Sequence, residues 1–180
     1  MLEIQKFIAK NGVEVILRPA KPEDAGEIIK TVRSISPERS YVLMECYGKD
    51  EGSAKRYISE IEHAGDLLLV AVAEGAVIGA LAAVRSRCGH RDMSTHVVDV
   101  GLHLIKEYRG LGIGTRMLQY AIEWAREKGF KKMVASIFTT NKRSLNLFIK
   151  AGFTEECVRQ KHFRIGSRYI DEICMVKFLD

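Results

Sequence analysis

Residues 109 to 115 read Arg109-Gly110-Leu111-Gly112-Ile113-Gly114-Thr115, with glycine at alternate positions. Glycines this close together let backbone N–H groups approach a ligand with no Cβ in the way. Ile113, Met117, Leu118, Ala121, Ile122 and Ala125 then recur at helical spacing, with Arg116, Gln119, Glu123, Arg126 and Glu127 on the other side. Ahead of the loop, His96–Ile105 reads as a strand. Strand, glycine loop and helix N-terminus together present unpaired N–H groups and the positive end of a helix dipole, which suits phosphate or pyrophosphate. Arg109 and Arg116 add positive charge. The dinucleotide fingerprint fails, because Thr115 stands where it needs glycine. The P-loop fails as well, for want of a Gly-Lys-Ser/Thr. A plain strand-to-helix turn is the alternative, and such a turn rarely needs three glycines.

The rest of the chain must position this loop. Leu2–Lys10 and Val13–Arg18 flank Asn11-Gly12, a hairpin signal. Pro22 opens a helix whose apolar face is Ala25, Ile28, Ile29, Val32 and Ile35, and Ser34–Pro37 ends it. A second helix covers Glu51–His63. Leu67–Ala73 and Ala76–Val84 are strands about the turn Glu74-Gly75. After the central helix, stopped by Gly129, come the strand Lys132–Phe138, the helix Asn141–Ala151 and a closing hairpin of Glu155–Arg164 with Arg168–Phe178. Strand, loop, helix and strand in the middle form a βαβ unit with a parallel pair. The flanking hairpins make the sheet mixed, an α/β fold with helices on both faces and one domain over residues 1–180.

Composition narrows the classes. The 180 residues are 47% hydrophobic and 28% charged, the balance of a soluble globular chain. The net charge of +5 is spread along the sequence, so it suits an anionic ligand and argues against nucleic acid, which needs a concentrated stripe. No apolar run approaches the ~18 residues of a membrane span, and the first residues lack the core of a signal peptide. Cys46, Cys88, Cys157 and Cys174 form no CxxC, so neither a metal site nor a redox pair is expected, and reduced thiols fit a cytoplasmic protein.

At Arg109, Gly112 and Gly114 the chain resembles the GNAT superfamily of acyl-CoA N-acyltransferases, whose signature is Arg or Gln, two residues, Gly, one residue, then Gly or Ala. Asn141 followed by Gly152-Phe153 matches a second element, and Arg18-Pro19-Ala20 with Pro22-Glu23-Asp24-Ala25 looks like the family's opening strand and helix. The resemblance runs from about Val15 to Val176. It implies a parallel strand pair that splays, with acyl-CoA lying in the gap. Leu102, His103 and Leu104 would then flank the pantetheine arm, their main chain pairing with its amides as an added strand does. Arg109, Gly110, Leu111, Gly112, Ile113, Gly114 and Thr115 would hold the pyrophosphate. Asn141 would contact the pantetheine side, a role compatible with capping the helix.

Acetyl transfer needs a neutral amine, a polarised thioester carbonyl and a proton for the departing thiolate. Main-chain N–H groups near Leu104 suit the second need. Many relatives carry a Tyr acid at the position of Phe148, which here is an apolar wall beside the sulfur. A thiol of pKa ~8.5 can take its proton from solvent, and Tyr41, Tyr47 and Tyr169 are substitutes. For the base, His96 shares a strand face with Val98 and Val100, while Asp99 and His103 share the other. His96 and Asp99 are the candidates, and a base working through an ordered water is a further route. Only Ser136 is polar at the apolar centre of the next strand.

The acceptor region implied by the resemblance is Ser36–Lys49, with Glu38, Glu45 and Cys46, together with Arg159–Tyr169. The expected function is acetyl-CoA-dependent transfer to a small-molecule or protein amine, with no metal. The alternative is a CoA-binding module that has lost catalysis. The terminal hairpin, with Ile170, Ile173, Met175 and Phe178, points to a homodimer.

Overall fold

The computed structural model describes residues 4–36, 50–86 and 93–179. Eight strands form one mixed sheet: β1 (Gln5–Ile8), β2 (Glu14–Pro19), β3 (Leu67–Ala73), β4 (Ala76–Arg85), β5 (Val97–Leu104), β6 (Lys132–Phe138), β7 (Thr154–Ile165) and β8 (Arg168–Phe178). Their order across the sheet is β1-β2-β3-β4-β5-β6-β8-β7. Every adjacent pair is antiparallel except β5 and β6. The helices are α1 (Ala25–Ile35), α2 (Glu51–Ala64), α3 (Ile113–Glu127) and α4 (Lys142–Lys150). No described helix is long and apolar enough to cross a membrane.

Local chemistry sets the boundaries. The β3–β4 turn places Glu74 (φ 51°) and Gly75 (φ 81°) in the left-handed region, the geometry that matches strand twist in a two-residue hairpin. The Asp50 carboxylate accepts from the Ser53 N–H at 2.9 Å and caps α2. Arg18 at the end of β2 donates twice to Asp24, at 2.7 and 2.8 Å, and fixes the angle at which α1 leaves the sheet.

Two cores sandwich the sheet. On one face α3 buries Ile113, Met117, Leu118, Ala121 and Ala125 against Leu69, Leu81, Val98 and Val100. On the other, α1 and α2 bury Ala25, Ile28, Ala54 and Ile58 against Val70 and Ala80. Alternation along β5 therefore decides function. Val98, Val100 and Leu104 belong to the α3 side. Asp99 and His103 stand opposite Val84 and Ala80 and belong to the α1–α2 side.

The strands β5 and β6 pair only through Val97–Lys132, Val98–Met133 and Asp99–Val134. Past that point β5 stays laddered to β4 as far as Leu104. Meanwhile β6 stays laddered to β8 as far as Phe138. The two strands part at Asp99 and the sheet forks there.

Candidate active site

At the open end of the fork lies a cavity of about 550 Å³. Leu102, His103 and Leu104 of β5 form one wall, and Asn141, Ser144 and Leu147 of α4 form the other. Gly110, Gly112, Gly114 and Thr115 line the end where α3 begins. The loop conformation requires glycine where the motif has it: Gly110 (φ 79°) and Gly112 (φ 87°) are both left-handed. Gly112 is the N-cap of α3, so the unpaired N–H groups of that helix border the cavity.

Arg109 also lines the cavity, and its Nε donates to the Leu104 carbonyl at 2.7 Å. It ties the loop back onto β5. Arg116 is elsewhere, its guanidinium over the Phe7 ring at 5.7 Å. Ile113, the first residue of α3, is fully buried, and Leu111 packs against the same core while its carbonyl accepts from the Lys10 N–H at 3.2 Å. Neither side chain lines the cavity, so of the loop residues these two face the core. Asn141 caps α4, its Oδ1 accepting from the Ser144 N–H at 3.1 Å, and the residue borders the cavity.

Phe148 departs from its expected place. It is 2% exposed and packs edge-on against Phe153, with centroids 4.9 Å apart. The helix phase that seats this ring in the core turns Leu147 to the cavity instead. Sequence reading also missed the cations Lys10, Arg143 and Lys150, which reach the cavity from the first hairpin and α4. Charge at those positions is visible in sequence, but only the fold brings them together.

Of the two base candidates, the structure brings only Asp99 to the fork. His96 is exposed in the turn before β5, where its carbonyl accepts from the N–H groups of Lys131 and Lys132 at 2.9 and 3.2 Å. It is at the far end of the strand from the glycine loop, ~25 Å away at about 3.3 Å per residue. The face it was grouped with, Val98 and Val100, is core beneath α3. Asp99 sits at the last rung before the strands part, on the α1–α2 side. Burial pushes its carboxyl pKa up, against an opposing hydrogen bond from Ser86. Tyr169 is exposed with Arg164 over its ring, and Tyr41, Tyr47, Glu38, Glu45 and Cys46 lie outside the described residues.

His103 has a structural duty as well. The Thr31 hydroxyl lies 2.7 Å from the Ile28 carbonyl and shares a hydrogen bond with His103 Nε2 at 2.8 Å, which ties β5 to α1. Burial, with Arg109 acting in the same direction, pushes its pKa down from 6.5 to about 4. The folded imidazole stays neutral where an unfolded one charges. Its stabilisation is therefore full above pH 6.5 and is lost as the pH falls towards about 4. Urea midpoints taken across that interval should drop with acid, and the drop should be shallower in His103→Gln.

A glycine outside every motif shapes the cavity wall. A Cβ on Gly79 of β4 would collide with the His103 carbonyl oxygen and come within 2.7 Å of Leu104 Cδ2. Gly79→Ala should push β5 off β4 into the cavity, costing on the order of 1–3 kcal/mol of stability and weakening ligand binding with it. Thermal unfolding and a binding isotherm on the same variant check both halves.

A forked sheet with a glycine-lined helix N-terminus at the mouth of the fork is the arrangement that the resemblance to acyl-CoA-dependent transferases implies. The sequence matches the acetyltransferase (GNAT) family over residues 35–153, and the chain belongs to that family. It is an acetyl-CoA-dependent N-acetyltransferase. An N-alpha-acetyltransferase of Sulfurisphaera tokodaii is 28% identical over 169 residues, covering 88% of this chain and 91% of the relative. A phosphinothricin acetyltransferase of Sinorhizobium meliloti, solved with acetyl-CoA, superposes with a TM-score of 0.82 at 26% identity, over 96% of this chain and 89% of that one. YncA of Salmonella typhimurium, also solved with acetyl-CoA, gives a TM-score of 0.84 at 22% identity, over 92% and 94%.

Proposed function

We propose that the acceptor is a primary amine, on a small molecule or a protein, and that Asp99 is its general base. The observation that carries this reading is the last rung of the β5–β6 ladder: a partly buried carboxyl stands where the strands part. The pyrophosphate of acetyl-CoA lies against Gly110, Gly112, Gly114 and Thr115, with Lys10, Arg143 and Lys150 as counter-charges. The pantetheine arm runs between Leu102–Leu104 and Asn141, towards the fork. Since the loop end holds the phosphates, the thioester carbonyl is polarised by main-chain N–H groups nearer Leu102 than Leu104. The amine nitrogen attacks that carbonyl, its proton passes through an ordered water to Asp99, and the C–S bond breaks. The thiolate, of pKa ~8.5 as a free thiol, takes its proton from solvent. One acetyltransferase domain spans residues 1–180.

The relatives are consistent with both acceptor kinds, one being named an N-alpha-acetyltransferase and another a phosphinothricin acetyltransferase. Thiol release measured over a panel of small amines and peptides tests the proposal. Turnover on any amine supports it. Acetyl-CoA binding with no turnover on the whole panel favours the second reading, a CoA-binding module, whose motivating feature is phenylalanine rather than tyrosine at position 148.

The reading extends to a cytoplasmic homodimer. The edge strand β7 and the hairpin around it leave Val158, Tyr169 and Phe178 exposed at 43%, 58% and 64%. An open edge with apolar side chains invites a second copy. Light scattering should return twice the mass of the 20.3 kDa chain, and a monomer at micromolar concentration refutes the dimer.

A further inference from the structure

The closing hairpin holds a pair of thiols that sequence spacing does not reveal. Cys157 of β7 and Cys174 of β8 are cross-strand partners in register. Partners directly opposite in an antiparallel pair have Cα atoms ~4.5–5.5 Å apart, inside the ~4.4–6.8 Å range of disulfides. Their side chains share the α1–α2 side of the sheet and hydrogen-bond to one another. Cys157 is exposed on an edge strand, and Cys174 is buried behind it. On the other side of Cys174, in register on β6, stands Ser136, whose buried Oγ has no hydrogen-bond partner. Arg159 lies close enough to favour ionisation of the Cys174 thiol, opposed by Glu172.

We propose that Cys157 and Cys174 are a dithiol–disulfide modification site, closed by exchange with a small-molecule disulfide such as oxidised glutathione. The exposed thiol is the entry point: the Cys157 thiolate attacks one sulfur of the reagent and expels a glutathione thiolate, which takes up the proton Cys157 lost. The Cys174 thiol then gives up its proton and attacks the Cys157 sulfur of the mixed disulfide. A second glutathione leaves, and the protein S–S bond has formed at the cost of one reagent S–S bond. Burial holds the Cys174 thiol at a pKa of about 11, so the second step is the slow one. A dithiol reductant reverses both steps.

Closure ties the edge strand to the strand that flanks β6, on the side of the sheet that carries Asp99. In a reducing compartment the pair stays open, and an oxidant challenge closes it.

The test uses the full chain with Cys46→Ser and Cys88→Ser, which leaves the pair as its remaining thiols. After oxidised glutathione, intact mass should fall by two hydrogens, both thiols should vanish from a thiol titration, and non-reducing electrophoresis should show a monomer. Dithiothreitol should restore both thiols. Cys174→Ser in the same background should keep glutathione on Cys157 as a stable adduct. Should the serine background fail to fold, peptide mapping of the unmodified sequence answers the same question through a linked pair of peptides containing residues 157 and 174. A lasting adduct on Cys157 with Cys174 still reduced overturns the proposal. So does a disulfide found only between chains.

Discussion

Gly114→Val should abolish acetyl-CoA binding and leave the protein folded. Gly114 lies in the first turn of α3 with an ordinary helical φ, so a side chain brings no backbone strain. A Cβ there would sit 3.4 Å from Leu147 Cδ2, 3.5 Å from Leu102 Cδ1 and 3.7 Å from Leu104 Cδ1, at ordinary contact distance from three side chains lining the cavity. The two branches of valine extend from that point into the space a pyrophosphate needs beside the helix N-terminus. We expect affinity to fall on the order of 100-fold or more, the scale of losing several charge-assisted hydrogen bonds. Gly112→Val is the poorer test, because at φ 87° a β-branched residue costs about 1–2 kcal/mol in the backbone and unsettles the loop itself. Calorimetry with acetyl-CoA, beside a melting curve, reads binding and fold separately. Wild-type affinity in a folded Gly114→Val protein would sink the assignment of the loop.

Local signals made the framework legible. Leu67–Ala73 and Lys132–Phe138 are strands with the bounds their apolar runs predict, and Gly75 and Gly129 mark the breaks. The glycine loop and Asn141 were legible too, since a left-handed cap and an Asx cap are written in residue type. What the sequence hid depends on contacts between distant segments. Alternation along β5 separates Asp99 from Val98, but only the cores on each side of the sheet tell which face is buried under α3. Spacing within α4 singles out Phe148, yet the phase of the helix is set by Phe153 beyond its end, and Leu147 takes the cavity wall. Gly79 has no motif around it; its need for a missing Cβ comes from the carbonyl of His103 on the next strand. The pairing of Cys157 with Cys174 depends on a register shifted by irregularities in β7, which no count of residues between cysteines supplies.

Asp99→Asn carries the largest expected loss of rate. The substitution keeps the size of the side chain and a hydrogen-bonding oxygen for Ser86, so β5 and the acetyl-CoA wall should stand. What it removes is the proton acceptor we propose at the fork. General-base assistance is worth about 100- to 10,000-fold, and kcat should fall within that range while acetyl-CoA affinity holds. The pH profile gives the sharper reading. Burial raises the Asp99 pKa, so in the wild type kcat/KM should climb with pH through an apparent pKa above the ordinary carboxylate value of ~3.9, because the ionised form is the active one. Asparagine has nothing to titrate, and that acid limb should disappear. Stability should move the other way. A carboxyl whose folded pKa is raised contributes stability while protonated and loses it as the pH rises through the folded pKa. Above its folded pKa the wild type therefore bears a partly buried charge that asparagine lacks, and there Asp99→Asn should melt no lower, and by this account higher, than its parent. An unchanged acid limb with near-parental kcat in Asp99→Asn would remove Asp99 from the chemistry and leave it as a partly buried side chain at the point where the sheet divides.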